Sequence, residues 1–476
     1  MSLLFLLLLC LAPRVPDAPP ANFSPAHRII GIGADRDDLS AEQIDLRAAR
    51  MIESQTFAIM REPEALIGAY RITADPKLRK LFQSASRHSG FPASLLEAVA
   101  WLESWGNPLA ESPSGPKGIM QISEATARTM GLKVLHATRY HVTREKVSVP
   151  TKHQTPKFKT VTLRVPYSVT VRDDRLTPGR AIPAAATYLA GMEQKFGGRD
   201  WAIFAYHCGQ GCVGEMLELT RRAHGIPKDQ VTVPRMFFSS SPAWNRELYQ
   251  AVSQQMQRDY SPTYYFRIRR AEQLLDLYRR DPAAFTALQR EYKSEFATGS
   301  RAPHRLSVWL RRDDLVFHTG GDIRSAATLA PAFDRPEFFG YSLNLDRGRP
   351  SAASPAALGT LAYVAFETRR LYESLRPRPQ PFQPLPVTSL VESEDALQSS
   401  QREALAHASG QVFDIEYSGL PPDELECLRF VLDDLGWDGY LGFVEEGSAN
   451  LHIGCSPSSR DFFTSVYQDA AEAARM

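Results

Sequence analysis

The chain has 476 residues, more than one ordinary hydrophobic core accommodates, so two or three domains are expected. Hydrophobic residues at 43% and charged residues at 23% set it apart from disordered and membrane-embedded chains. Lys+Arg 55 against Asp+Glu 54 leaves a formal charge of +1, which excludes a global field for nucleic acid or an anionic membrane.

Residues 1–12 read MSLLFLLLLCLA, too short to span a bilayer and of the length of a signal-peptide core. Pro13, Pro16, Pro19 and Pro20 follow and prevent a continuing helix. Residues 1–22 are therefore expected to be an export leader, without a basic start. Cys10 is the residue there that a lipid anchor would use, although Leu9 stands where such a site carries a small residue. Beyond the leader, Cys208, Cys212, Cys427 and Cys455 remain. Pairing of 208 with 212 and 427 with 455 is one of three connectivities, and four buried thiols are the alternative.

Residues from 23 to about 90 read as helical, closing in the turn Ser89-Gly90-Phe91-Pro92. The run SLLEAVAWLESW predicts a helix over 94–105 with Ser94 as its N-cap. Further helices are expected at 121–131, 181–196, 200–208, 213–223 and, with interruptions, 242–280. Together they predict an α-rich domain over 23–295. A different piece, 135–172, interrupts it. From Thr160 to Arg172, apolar Val161, Leu163, Val165, Val169 and Val171 alternate with polar neighbours, the period of a strand. Pro166 places that strand at an edge or splits it. Eight Lys/Arg against the single acid Glu145 make the insertion basic. It reads either as a solvated β insertion or as a contact for an anionic polymer. From 300 onward a helix over 355–375, the proline-rich stretch Arg376 to Pro386 and a strand–helix–strand mixture predict a separate α+β domain. Neither tandem repeats nor a transmembrane helix are read.

One carboxylate stands out. On the 94–105 helix, Leu96, Val99 and Glu103 share a face, so Glu103 points where the apolar side chains point. Desolvation there raises a carboxyl pKa, as a general acid near neutral pH requires. Spacing alone is a weak signal, since a Glu on an apolar face more often caps a chain turn or pairs with an arginine.

The residues that follow resolve that ambiguity. They run Glu103-Ser104-Trp105-Gly106-Asn107-Pro108, Ala110, Ser112-Pro113, Gly115, then Gly118-Ile119-Met120-Gln121. This stretch resembles the soluble lytic transglycosylase family, whose pattern is E-S-x-x-N-P-x-A-x-S-x-x-G-A-x-G-L-M-Q. Asp173-Asp174-Arg175-Leu176-Thr177-Pro178 and Ala205-Tyr206-His207-Cys208-Gly209 resemble two later blocks, with His207 for Asn and Cys208 for Ala. The resemblance implies a lysozyme-like α-helical domain that cleaves the β-1,4 bond between N-acetylmuramic acid and N-acetylglucosamine. By position, Glu103 would be the acid and base, Ser112 and Tyr206 would orient it, and Asn107, Met120 and Gln121 would line the sugar and peptide subsites. No cofactor is implied for this reaction. The expected partners are peptidoglycan glycan strands and stem peptides in the periplasm or at the outer membrane of a Gram-negative cell, and not nucleic acid.

Near the C-terminus, His407-Ala408-Ser409-Gly410-Gln411-Val412-Phe413-Asp414 has the form H-x-x-G-x-x-x-D, and His452 sits in a later strand over Asn450–Cys455. Two His and an Asp with one open position make a reasonable zinc set. The arrangement resembles zinc D-Ala-D-Ala carboxypeptidases of the hedgehog-like fold, preceded here by the strand Val387-Thr388-Ser389. By that resemblance His407, Asp414 and His452 would bind zinc. Ala449 occupies the position of that family's base, for which Glu445 or Glu446 would have to substitute. A degenerate domain that only binds stem peptides fits the same residues. The expected fold class is thus multidomain: an α-helical lysozyme-like domain with a β insertion, plus a C-terminal α+β domain. Three functional readings follow from it: a lytic transglycosylase with an accessory domain, a bifunctional glycan and stem-peptide hydrolase, or a non-catalytic peptidoglycan-binding protein. A lysozyme-type muramidase is the alternative chemistry at Glu103.

Overall fold

The computed structural model describes residues 22–36, 38–149, 157–259, 261–296, 329–376, 380–391, 410–446 and 449–476. They fall into two compact units, one within Asp37–Arg312 and one that joins Met1–Arg36 to Asp313–Met476. The boundary therefore differs from the expected 23–295, because residues 22–36 pack into the C-terminal unit. The Phe23 N–H donates to the Phe338 carbonyl at 2.9 Å, and Arg36 pairs with Asp434 at 2.7 Å with both side chains buried. The Asp434 carboxylate also accepts the Gly33 N–H at 2.9 Å, which helps offset the cost of burying the pair. The segment has no hydrophobic period, so the sequence offered nothing to separate it from the helices that follow.

The first unit is helical: α1 (Ala41–Met60), α2 (Ala65–Ala74), α3 (Pro76–Ser89), α4 (Ala93–Ser104), α5 (Glu124–Thr129), α6 (Pro178–Phe196), α7 (Arg199–His224), α8 (Val233–Phe238), α9 (Arg246–Asp259), α10 (Ser261–Arg280) and α11 (Pro282–Phe296). Local chemistry sets the ends. Ser40 and Gln43 form a capping box on α1, and Asp75 caps α3, which stops at Gly90 in the left-handed region. Helix α4 begins after Pro92 without a side-chain cap. The expected cap Ser94 instead donates to Glu272 of α10 at 2.6 Å. Helix α10 packs against α1, α4, α7 and α11. On α4, Leu96, Val99 and Trp101 are fully buried, and the Trp101 indole N–H donates to the Ala65 carbonyl at 3.1 Å. The two helices expected at 200–208 and 213–223 are both present within the span of α7, separated by a kink where Gly209 leaves helical geometry (φ 85°, ψ 163°).

Between α5 and α6 the insertion forms an antiparallel ribbon of β1 (Val134–Val149) and β2 (Lys157–Asp173). Pro166 lies opposite Tyr140. Both strands of a two-stranded ribbon are edges, where a missing N–H is tolerated.

The C-terminal unit holds β3 (Ala330–Pro331) paired with β5 (Ala352–Ala353), and a five-stranded sheet in the order β4-β6-β7-β9-β8. Its strands are β4 (Tyr341–Leu343), β6 (Leu385–Ser389), β7 (Val412–Glu416), β8 (Leu441–Glu446) and β9 (Asn450–Cys455). The β4–β6 pair is parallel and the others are antiparallel. A short helix α12 (Pro336–Phe339) precedes the buried α13 (Pro355–Ser374), which packs on α14 (Pro422–Trp437) and α15 (Arg460–Arg475). The α+β expectation for this region thus matches the described residues. Among them no helix is long and apolar enough to cross a membrane.

The α13–α15 contact depends on Gly359, where an added Cβ would lie 1.8 Å from the Phe463 carbonyl oxygen. Since backbone cannot yield as a side chain does, Gly359→Ala is expected to destabilise this unit by about 1–3 kcal/mol in urea unfolding. An unchanged midpoint would contradict the close helix approach.

Candidate active site

Helix α4 ends where its apolar face meets a cavity. Trp105 closes it in the left-handed region at φ 51°, and its N–H returns to the Trp101 carbonyl at 2.7 Å. This abrupt stop leaves Glu103 at the last turn, with its side chain among the residues that line a cleft of about 510 Å³. Ser112, Gln121, Ile122, Tyr188, Tyr206 and His207 also line it. Among the described residues that line it, Glu103 is the only carboxylate.

The loop from Gly106 to Ile122 forms one wall, pinned at several points. The Ser104 hydroxyl donates to the Ile119 carbonyl at 2.8 Å. Gln121, itself at positive φ (44°), donates through Nε2 to the carbonyls of Gly118 at 3.0 Å and Ala110 at 3.1 Å. Gly118 (φ 82°) has no room for a side chain, since a Cβ would lie 1.9 Å from the Arg175 carbonyl oxygen. Arg175 is buried and pairs with Asp173 at 2.7 Å. Its Nη1 also donates to the carbonyls of Ile122 at 3.2 Å and Gly115 at 3.3 Å. Asp174 pairs with Arg172 at 2.9 Å and Arg180 at 3.1 Å. The Asp173-Asp174-Arg175 block is therefore a clamp between the wall and the ribbon base, and its acids are held by arginines.

The group that touches Glu103 was not read from the sequence. Tyr264 of α10 donates its hydroxyl to Glu103 Oε1 at 2.6 Å and stacks on His207 with centroids 4.6 Å apart and planes 7° from parallel. Tyr206 donates to the Met120 carbonyl at 2.7 Å, and the Ser112 hydroxyl shares a bond with Ser114 at 2.8 Å. Both line the cleft with Glu103, whose carboxylate accepts its hydrogen bond from Tyr264. Asn107 accepts the Leu109 N–H at 3.0 Å, a turn within the loop, and the Met120 side chain is fully buried. Tyr264 lies 161 residues from Glu103, in an aromatic run, Tyr264-Tyr265-Phe266, that reads equally well as core.

Burial pushes the Glu103 carboxyl above its ordinary range, while the Tyr264 hydrogen bond and the nearby His207 draw it partly back. Burial and then the Glu103 charge hold the hydroxyls of Tyr206 and Tyr264 well above theirs, so both remain protonated donors.

In the C-terminal unit, Asp414 of β7 and His452 of β9 lie directly across from one another, with His452 Nδ1 2.8 Å from Asp414 Oδ1. His407 lies outside the described residues. Glu445 and Glu446 end β8, opposite Leu451 and Asn450, and Val444 rather than either of them pairs with His452. Among the described residues no group of three His, Cys, Asp or Glu could hold a metal ion. Cys208, Cys212, Cys427 and Cys455 are thiols, not disulfides.

Comparison with known proteins finds similarity in the part of the chain that holds this cleft. Residues 80–147 and 155–226, a stretch that includes Glu103, match the family model "Transglycosylase SLT domain". Peptidoglycan transglycosylase gp16 of Escherichia phage T7 is 36% identical over 135 residues, covering 28% of this chain and 8% of that protein. Membrane-bound lytic murein transglycosylase F of Alcanivorax borkumensis is 28% identical over 181 residues, 36% of this chain and 30% of its own length. The corresponding protein of Yersinia enterocolitica is 28% identical over 166 residues, 33% and 25% of the two chains. The chain thus spans less than a third of each of these relatives. Tyr264 lies beyond the matched segments.

A testable consequence concerns stability. The folded pKa of Glu103 lies above its unfolded value, so its contribution is full below the unfolded pKa and is lost as pH rises through the folded one. Glu103→Gln carries no such loss. Its melting temperature is therefore expected to exceed wild type near pH 8 and to converge with it below the unfolded carboxyl pKa of ~4. Tyr264→Phe, which removes a donor to the carboxylate, is expected to widen the gap. A pH-independent difference would contradict the raised pKa.

Proposed function

We propose that this chain is a peptidoglycan lytic transglycosylase. It would cut the β-1,4 bond between N-acetylmuramic acid and N-acetylglucosamine and leave 1,6-anhydromuramic ends. The observation that carries the reading is Glu103 as the sole carboxylate among the described residues that line its cleft. Hydrolysing glycosidases pair two carboxylates, one of which activates water or forms a covalent intermediate. With one, a single group must serve twice. Glu103 in its protonated form donates to the leaving glycosidic oxygen, and the resulting carboxylate then takes the proton of the muramyl hydroxyl that closes the ring. The substrate's own N-acetyl group stabilises the cationic centre between these steps. Tyr264 holds the carboxyl in place through both, because its hydroxyl stays a donor whichever form Glu103 adopts. The names of the relatives, peptidoglycan transglycosylase and lytic murein transglycosylase, support the same substrate. "Membrane-bound" in two of those names supports an envelope location, with stem peptides and the outer membrane as the expected surroundings.

Digestion of sacculi followed by mass spectrometry tests this reading. Wild type is expected to release anhydromuropeptides and Glu103→Gln to release at least 100-fold less, the scale of lost general acid–base catalysis (~100-fold or more). Products with reducing muramic ends would instead assign a lysozyme-type muramidase.

For the C-terminal unit we propose a zinc site of which Asp414 and His452 are two donors. Their contact across β7 and β9 and the N and O chemistry of the pair fit zinc. No step at Glu103 uses it. About one zinc per purified chain, lost in His452→Ala, is expected from elemental analysis. A zinc-free wild type would remove the site, and peptide release from muropeptides would extend it to a bifunctional enzyme.

A further inference from the structure

The ribbon of β1 and β2 is unexplained by the chemistry at Glu103, yet it is fixed to the wall of that cleft. At its base the Lys133 N–H donates to Asp174 at 3.1 Å, and Arg175 joins Asp173 at the end of β2 to the carbonyl of Ile122, a cleft residue. His136 of β1 lies 3.3 Å from Glu124 of α5. From that root a strand of 16 residues extends about 50 Å.

A lone two-stranded ribbon of this length is marginal without something to pack on. Here large apolar side chains stand in solvent: Tyr140 is 56% exposed, Val142 61% and Val165 50%. The register decides how these are arranged. Paired residues share a face, so Val142 and Arg164 lie together, with Tyr140, Arg144 and Lys146 on the same side. The opposite face holds Arg139 with Tyr167, His141 with Val165, and Val147 with Lys159. Each face also carries an aromatic contact of its own. The Arg164 guanidinium lies 5.9 Å from the Tyr140 ring centre, and His141 stacks on Tyr167 at 4.0 Å.

Both faces therefore mix cations with apolar and aromatic groups. A ribbon made for a planar lipid surface would segregate its apolar side chains on one face. Mixed faces suit a flexible polymer that carries carboxylates and can pass around the arm, and positive charge concentrates such a polymer at the surface.

We infer that the β1–β2 ribbon is a holding arm for the peptidoglycan strand outside the cleft, with Arg144, Lys146 and Arg164 pairing with stem-peptide carboxylates and its exposed rings lying against sugars. This rests on the proposed substrate of the Glu103 cleft, and it adds a binding site that the matched domain does not by itself assign.

The test uses the full chain with Arg144→Glu, Lys146→Glu and Arg164→Glu combined, and a second variant with the same three positions as Gln. None of the three touches the cleft. Cosedimentation with purified sacculi is measured in the Glu103→Gln background, so that binding is read without turnover. The charge-reversed chain is expected to bind about tenfold more weakly at ~50 mM salt and to converge with its parent at ~500 mM, with the Gln variant between them. In the active background, the half-saturating sacculus concentration is expected to rise by a similar factor, while turnover of a soluble peptidoglycan tetrasaccharide stays within about twofold. Unchanged sacculus binding would overturn the inference, as would equal loss on both substrates, which would mark a structural role. Binding to phosphatidylglycerol vesicles that depends on the three cations, with none to sacculi, would overturn it in favour of a lipid surface. Sacculus binding that depends on the arm, in a chain that releases no anhydromuropeptides, would sustain the arm and overturn the transglycosylase reading alone.

Discussion

The hydrogen bond from Tyr264 to Glu103 is the interaction on which the cleft depends. It joins the ends of two helices that are far apart in the chain, α4 and α10, at a distance of 2.6 Å. A carboxyl at the end of an apolar helix is in tension: burial favours its neutral form, and a donor favours its charged form. A general acid that must later act as a base needs both influences, because neither state can be allowed to become inaccessible. Tyr264 supplies the donor without adding a charge. Its own proton is retained by burial and by the neighbouring carboxyl. The stacked His207 limits where the ring can go.

Around this pair the wall is built from backbone. The Ser104 hydroxyl, the Gln121 amide and the Arg175 guanidinium all end on main-chain carbonyls between Ala110 and Ile122. Such bonds fix the path of a loop more firmly than contacts between flexible side chains, and buried charge is admitted only where it is paired, as in Arg175 with Asp173. The same arginine carries the ribbon. The route from cleft to arm is therefore one buried ion pair long, and an arm so fixed would hold a polymer at a set distance from the reacting bond.

The parts legible in the sequence were those governed by local spacing. The period of α4 places Glu103 with Leu96 and Val99, and the Glu103–Gln121 run carries its turn glycines and its wall in order. The alternation over Thr160–Arg172 marks β2. Contacts between distant segments were not legible. Tyr264 sits in an aromatic run indistinguishable from core packing, and the bond it makes depends on how α10 crosses α4. Ser94 had the identity of an N-cap, but Pro92 already begins the helix and the hydroxyl finds Glu272 instead. The segment over residues 22–36 is held by the Arg36–Asp434 pair, by the Gly33 N–H to the Asp434 carboxylate and by the Phe23 N–H to the Phe338 carbonyl, none of which leaves a period in sequence. In the C-terminal unit, Asp414 and His452 meet because β7 and β9 pair in one register, something their spacing alone leaves open.

In the proposed reaction one carboxyl, Glu103, breaks the glycosidic bond and closes the anhydro ring without water as a reactant. Digestion of sacculi in heavy-oxygen water tests it most directly, by mass spectrometry of the released muropeptides. Ring closure by the substrate's own hydroxyl leaves muramic ends that carry no heavy oxygen. Incorporation of one heavy oxygen at the muramic C1 position would mean that water attacks there, and would contradict it.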